Sequence, residues 1–200
     1  MKKMTLLFTL TLLCAGALNG MEPEKPQLDP DLWGQLPEDV KPLIMVALAK
    51  SGGSLNAAID NIKKVSLINT KLNQMINEQY GNLAGFTRLI HILANKFNMF
   101  STSTEAIAKK FNTPAAEQYL ALGEEFREKV LDQSVLLFDP EIALFNAQLL
   151  LENGLDPNFS FPDGPLSRSL LMEIEWLGQF DGSNKTIKAI IKLLRDKGAK

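Results

Sequence analysis

The chain has 200 residues, 46% of them hydrophobic, with 21 basic and 23 acidic side chains and a formal net charge of −2. One cysteine (Cys14) and one histidine (His91) exclude a disulfide framework and any metal site built from several cysteines or histidines. The slightly acidic balance excludes a general nucleic-acid binder, which needs a basic face to displace counterions.

Residues 1–20 have the three parts of a secretory signal. Lys2 and Lys3 form a positive start, Met4 to Cys14 a short apolar run, and Ala15-Gly16-Ala17 the small side chains that a signal peptidase accepts. The apolar run is shorter than the about 20 residues that span a bilayer. The expectation is a protein exported to the periplasm or secreted, cut after Ala17 or Gly20. Loss of Lys2 and Lys3 leaves 19 basic against 23 acidic groups, a net charge of −4, and no cysteine. Such a chain folds on hydrophobic burial alone. Residues 21–35, with Pro23 and Pro26, read as a linker.

After the linker, helical periodicity dominates. Pro37 can start a helix whose apolar residues are Val40, Leu43, Ile44, Ala47 and Leu48, and Ser51-Gly52-Gly53 ends it. Ser54 can cap a second helix with a stripe at Leu55, Ala58, Ile59, Ile62, Val65, Leu72 and Ile76, interrupted by Asn69. Gly81 and Gly85 punctuate the next break, before a helix that buries Phe86, Leu89, Ile90, Leu93 and Phe97. Thr102 and Glu105 have capping-box spacing. Thr113-Pro114 and Asp139-Pro140 each place a capping side chain before a proline at the first helical position. The helix from Pro140 to Asn153 is apolar around most of its girth, as a helix sandwiched between neighbours would be, and Gly154 can stop it in the left-handed conformation. No stretch alternates as a central strand does. The fold class expected is all-α.

Two stretches carry resemblances. Residues 142–200, in a domain expected over 139–200, resemble divergent ankyrin repeats: Ala147-Gln148-Leu149-Leu150-Leu151-Glu152-Asn153-Gly154-Leu155-Asp156-Pro157-Asn158 matches the end of a repeat, and Ile187 to Ala199 restates it. Gly154 and Gly198 lie 44 residues apart, against a family period of about 33. The excess is assigned to an insertion over Glu173 to Asn184, between inner and outer helices. Pro165-Leu166 match the start of an inner helix, with Gly164 and Ser167 where the family has threonine and histidine. Residues 36–77, in a segment expected over 36–80, resemble an F-box more faintly, through Leu36-Pro37-Glu38-Asp39-Val40, Ile44, Leu48, Ile62, Val65-Ser66, Asn69 and Leu72. That likeness implies docking to a ubiquitin-ligase adaptor, here inside a host cell. Residues 81–138 form a helical region between the two. The architecture implied is a helical N-terminal segment packed on a short ankyrin-like array.

Chemistry is sparse. Residues 103–113 are similar to the first helix and turn of a helix-turn-helix motif, but the second helix opens Pro114-Ala115-Ala116-Glu117-Gln118 and carries no Arg or Lys before Arg127. Carboxylates repel phosphate, so this reads as two packed helices. His91 has no second histidine or cysteine to share a metal and reads as structural. Nucleophile-elbow and nucleotide-binding glycine patterns do not occur. The expectation is therefore no enzyme, no cofactor, no metal and no nucleic acid.

The leading functional expectation is an exported protein–protein interaction module. An F-box-like adaptor recruiting a host ubiquitin ligase and a hydrolase built on carboxylates are the alternatives. The aromatic side chains assigned to partner contact are Phe159 and Phe161, at alternating positions in a turn-rich segment, and Trp176 and Phe180, four apart on one helix. Inward packing of the first pair is the competing assignment. Lys185, Lys188, Lys192 and Arg195 share one side of the last helix, a solvated face or a seat for an anionic partner or membrane headgroups.

Overall fold

The computed structural model describes residues 53–68, 80–97, 103–163, 166–180 and 184–200, together with residue 47. Among them are eight helices and one two-stranded hairpin, an all-α fold as expected. Residues 1–20, the linker 21–35 and most of the F-box-like stretch lie outside the described residues, so the expectations made for them fall there too. The chain divides into two compact units, residues 1–78 and 79–200.

In the first unit, helix α1 spans Leu55–Ile68. Its start is set by Ser54, whose Oγ accepts the Ala57 N–H at 3.2 Å, the capping role read from the sequence. Ala58, Ile59 and Ile62, spaced by one and three, form its buried side.

The second unit begins with α2 (Leu83–Phe97). Asn82 caps it, its Oδ1 accepting the Gly85 N–H at 2.8 Å. Gly85 therefore sits buried in the first turn and does not break the chain as expected. The short α3 (Thr104–Ala108) is capped by Ser103, whose Oγ accepts from Ala106 N, one residue later than the capping box suggested. Thr113 caps α4 (Pro114–Lys129) with Pro114 at the first position, as read. Asp132 caps α5 (Gln133–Phe138). In α6 (Pro140–Glu152) the proline is again in the first turn, but Asp139, which is also the C-cap of α5 at φ −132° and ψ 55°, makes no side-chain capping bond.

Both glycine stops are formed. Gly154 and Gly198 each have φ of 95°. After α6, Leu155 N–H donates to Leu150 O at 2.9 Å and Gly154 N–H to Leu151 O at 3.3 Å. After α8 (Lys185–Asp196), Ala199 N–H donates to Leu194 O and Gly198 N–H to Arg195 O, both at 3.0 Å. Each is the double-bonded Schellman ending that satisfies terminal carbonyls.

Between these ends the chain departs from expectation. Strands β1 (Ser160–Asp163) and β2 (Leu166–Ser169) pair antiparallel, with Ser160 opposite Ser169 and Asp163 opposite Leu166. Leu166 thus lies in a strand, and the following helix α7 (Leu170–Phe180) begins four residues later. Residues 173–180, the start of the stretch expected to be an insertion, continue that helix without interruption. Asn184 caps α8 through bonds to Thr186 and Ile187 N–H.

Helix α2 packs on α3 and α4, α4 on α6, α6 on α8, and α8 on α7, while the hairpin touches α3 through β1 and α7 through β2. The core is aromatic at one end. Phe111, Phe86, Tyr119, Phe159 and Phe161 form a continuous chain of ring contacts with centroids 5.1–5.8 Å apart. Gly123 makes room for it: a Cβ there would lie 2.1 Å from Phe159 Cζ. Toward α8 the core is aliphatic, with Ala143, Ala147, Leu150, Leu170, Ile174, Ile187, Ile190 and Leu194.

Candidate interaction surface

Helix α6 was expected to be enclosed because it is apolar on all sides. Its inner side is enclosed: Ala143, Ala147, Leu150 and Leu151 are buried against α4, α5 and α8. Its outer side is not. Ile142, Phe145 and Leu149 are exposed at 53, 65 and 44%, and Phe138, ending α5, at 79%. Ile142, Phe145 and Leu149 follow a three-four spacing on α6, which gathers them along one line, and Phe138 ends the helix before it. Single exposed apolar residues need no explanation, but three in a line with a fourth just upstream form a patch of the kind that marks contact sites.

The charged side chains of this stretch are all acidic. Residues 131–152 contain Asp132, Asp139, Glu141 and Glu152 and no Lys or Arg. Lys129, just upstream, is paired with Glu125. Nothing in the apolar periodicity of α6 distinguished its outer side from its inner one, so this surface was not read from the sequence. The small side chains Ala143 and Ala147 were the available signal, since close helix contacts favour them.

The four aromatic side chains assigned to a partner divide differently. Phe159 and Phe161 are 1 and 4% exposed. They do share one side of the chain as their spacing implied, with rings 5.1 Å apart, but that side faces the core. Phe159 stacks on Tyr119 and Phe161 lies under the Arg127 guanidinium at 4.0 Å, so neither is presented to a partner. This corrects the assignment of the pair to partner contact and agrees with the inward packing that competed with it. Trp176 is 40% exposed on α7, with the Arg168 guanidinium 5.7 Å from its ring centre, and Met172 one turn before it is also exposed. Phe180 ends α7; its side chain is outside what the structure describes.

The four cations of α8 are all exposed. Arg195 is bound to Glu175 of α7 at 2.6 Å, so part of its charge is neutralised within the fold. Lys188, Lys192 and Arg195 border an open groove with Ile191 and Asp196. Lys185 stands at the helix start.

His91 belongs to a buried polar brace. Its Nε2 lies 2.8 Å from Asp156 Oδ2, the Tyr119 hydroxyl donates to the same oxygen at 2.8 Å, and the Asn158 N–H donates to Oδ1 at 2.9 Å. The Asp156 side chain is fully buried while that of His91 is 35% exposed. The hydrogen bond to Asp156 raises the His91 pKa, against the opposing effects of burial and of Lys200. Burial, and then the Asp156 charge, push the Tyr119 hydroxyl well above its usual range. Beside this brace, Thr104 N–H donates to Ser160 Oγ and Ser160 N–H to Thr104 Oγ1, both at 2.8 Å. The second buried carboxylate, Glu105, is paired with Lys109 and Arg127. These contacts hold the turn after α6 and the first strand to α2, α3 and α4; they are what a buried charge needs to be tolerated.

Among the described residues, no group of three His, Cys, Asp or Glu side chains is placed to hold a metal ion. No described helix is long and apolar enough to cross a membrane. No protein-family model, no curated protein and no solved structure matches this chain.

Proposed function

We propose that the chain is an exported, non-enzymatic protein–protein interaction module on an ankyrin-like scaffold, and that it meets its partner through the α5–α6 face. The observation that carries this reading is the line of Ile142, Phe145 and Leu149, bulky apolar side chains held in solvent on a helix whose other side is firmly packed, with exposed Phe138 ending the helix before it. A rigid helix presenting aromatic and aliphatic anchors is the arrangement that supplies binding energy in protein interfaces. The matched glycine endings of α6 and α8 support the repeat-like scaffold, and residues 1–20 support export.

The test is affinity capture with the tagged full-length chain in the compartment it reaches, beside a variant carrying Ile142→Ser and Phe145→Ser. The expected result is a partner that crosslinks to the native chain and is lost from the variant, with the melting temperature unchanged. An identical set of captured proteins from both chains would refute the assignment of this face.

A further inference from the structure

We infer that the occupant of the α5–α6 face is a cationic amphipathic helix of another protein; this deepens the interaction reading and rests on it. The three-four spacing of Ile142, Phe145 and Leu149 on α6 is the repeat along which one helix meets another, and Phe138 at the end of α5 is exposed just upstream of it. At their exposures the four side chains present on the order of 400 Å². That is about half of the ~800 Å² per partner in a standard interface, and it suits one helix laid along the stripe better than a broad domain face.

Charge selects among occupants. Glu141 and Glu152 are exposed on the same helix as the stripe, Asp132 and Asp139 bound the helix before it, and residues 131–152 contain no Lys or Arg. A helix with apolar residues at matching intervals and Lys or Arg beside them would cover the rings and neutralise these carboxylates. Such complementarity raises the association rate and excludes wrong partners. A second copy of this chain would bring the same carboxylates against its own, and an anionic membrane would bring phosphate. The chain's own basic amphipathic helix, α8, has its apolar side buried at Ile187, Ile190 and Leu194 and is not available for this role.

The probe is a fluorescently labelled synthetic helix of leucine and lysine with leucines at three-four spacing, titrated with the full-length chain. Controls are a scrambled peptide of the same composition and a leucine–glutamate helix. Saturable one-to-one binding is expected, weakened about tenfold or more by Phe145→Asp, a substitution at one central anchor. Combined Glu141→Lys and Glu152→Lys should also weaken it, most clearly at low salt. Since Phe145→Asp adds negative charge, unchanged or tighter binding by that variant would mean a merely electrostatic attraction and would overturn the inference. So would equal binding of the scrambled peptide. Preference for the leucine–glutamate helix would overturn the cationic partner while leaving the interaction reading intact. A concentration-dependent dimer abolished by Phe145→Asp would transfer the face to a second copy. Phe145-dependent binding to vesicles containing phosphatidylglycerol would transfer it to a membrane. A melting temperature lowered by several degrees in Phe145→Asp would place the ring inside the fold and end both readings.

Discussion

Helices α6 and α8 end alike and face the solvent differently. Both close on a glycine at φ 95° with the same pair of backbone bonds, and both bury a leucine four residues before that glycine, Leu150 in one and Leu194 in the other. Forty-four residues on, the counterparts of Ile142, Phe145 and Leu149 are Thr186, Ala189 and Leu193, all half-buried. What α6 shows outward is apolar, and its charged side chains are acidic; what α8 shows outward is Lys185, Lys188, Lys192 and Arg195. The inner side of each helix answers to packing and the ending answers to backbone chemistry. Only the outer side is free to differ, and there the functional difference is to be sought.

That division of labour can be broken by experiment. Leu150→Ala and Leu194→Ala should each cost about 2–5 kcal/mol in chemical denaturation, as cavities in packed cores do. A small loss at either position would dissolve the supposed equivalence of the two inner sides. On the α4 side, Gly123→Ala should destabilise by roughly 1–3 kcal/mol through collision with Phe159, despite the better helix propensity of alanine. A stabilised variant would show that the ring can move aside.

The two endings should separate by degree. Gly154→Ala and Gly198→Ala each force a left-handed alanine, at about 1–2 kcal/mol. Gly154 should be the costlier because its new Cβ also meets Leu83 Cδ2 at 2.9 Å, whereas the space around Gly198 is open. Equal losses would mean that backbone strain alone decides.

The His91 brace should add a gentler pH dependence. Because the folded state raises the His91 pKa above 6.5, the stabilisation is fully present below that value and is lost as pH rises through the folded-state value. Thermal unfolding from pH 6 to pH 8.5 should therefore show the native chain losing stability relative to His91→Gln. Parallel curves would mean that the imidazole contributes no proton-linked stability. The least effect is expected at Phe145→Ala, within about 0.5 kcal/mol, as for surface positions in general.

Much of this architecture was legible locally. Ser54, Thr113 and Gly154 each act within a few residues of themselves, and their roles in the structure are those their chemistry implied. What was not legible depends on partners far along the chain. The turn-rich segment around Phe159 becomes a strand edge because Ser160 exchanges two hydrogen bonds with Thr104, 56 residues earlier. The pair Phe159 and Phe161 turns inward because Tyr119 and Gly123 leave a slot that no local pattern announces. The expected seat of α6 between neighbours failed for a related reason. Apolar periodicity reports what a helix could bury on every side, and the number of neighbours that arrive is set by the rest of the chain. The candidate face was thus present in the sequence as residues and invisible as a surface.

The Asp156 carboxylate has a consequence for the order of folding. One oxygen gathers Tyr119 from α4 and His91 from α2, the latter 65 residues away, onto a turn that follows α6. Closing loops of that length costs chain entropy before any contact is made. The helices on either side can form from local contacts, whereas this turn can settle only once α2 and α4 lie together. Removal of the carboxylate, as in Asp156→Asn, should therefore hasten unfolding far more than it slows folding, the signature of a contact made after the transition state.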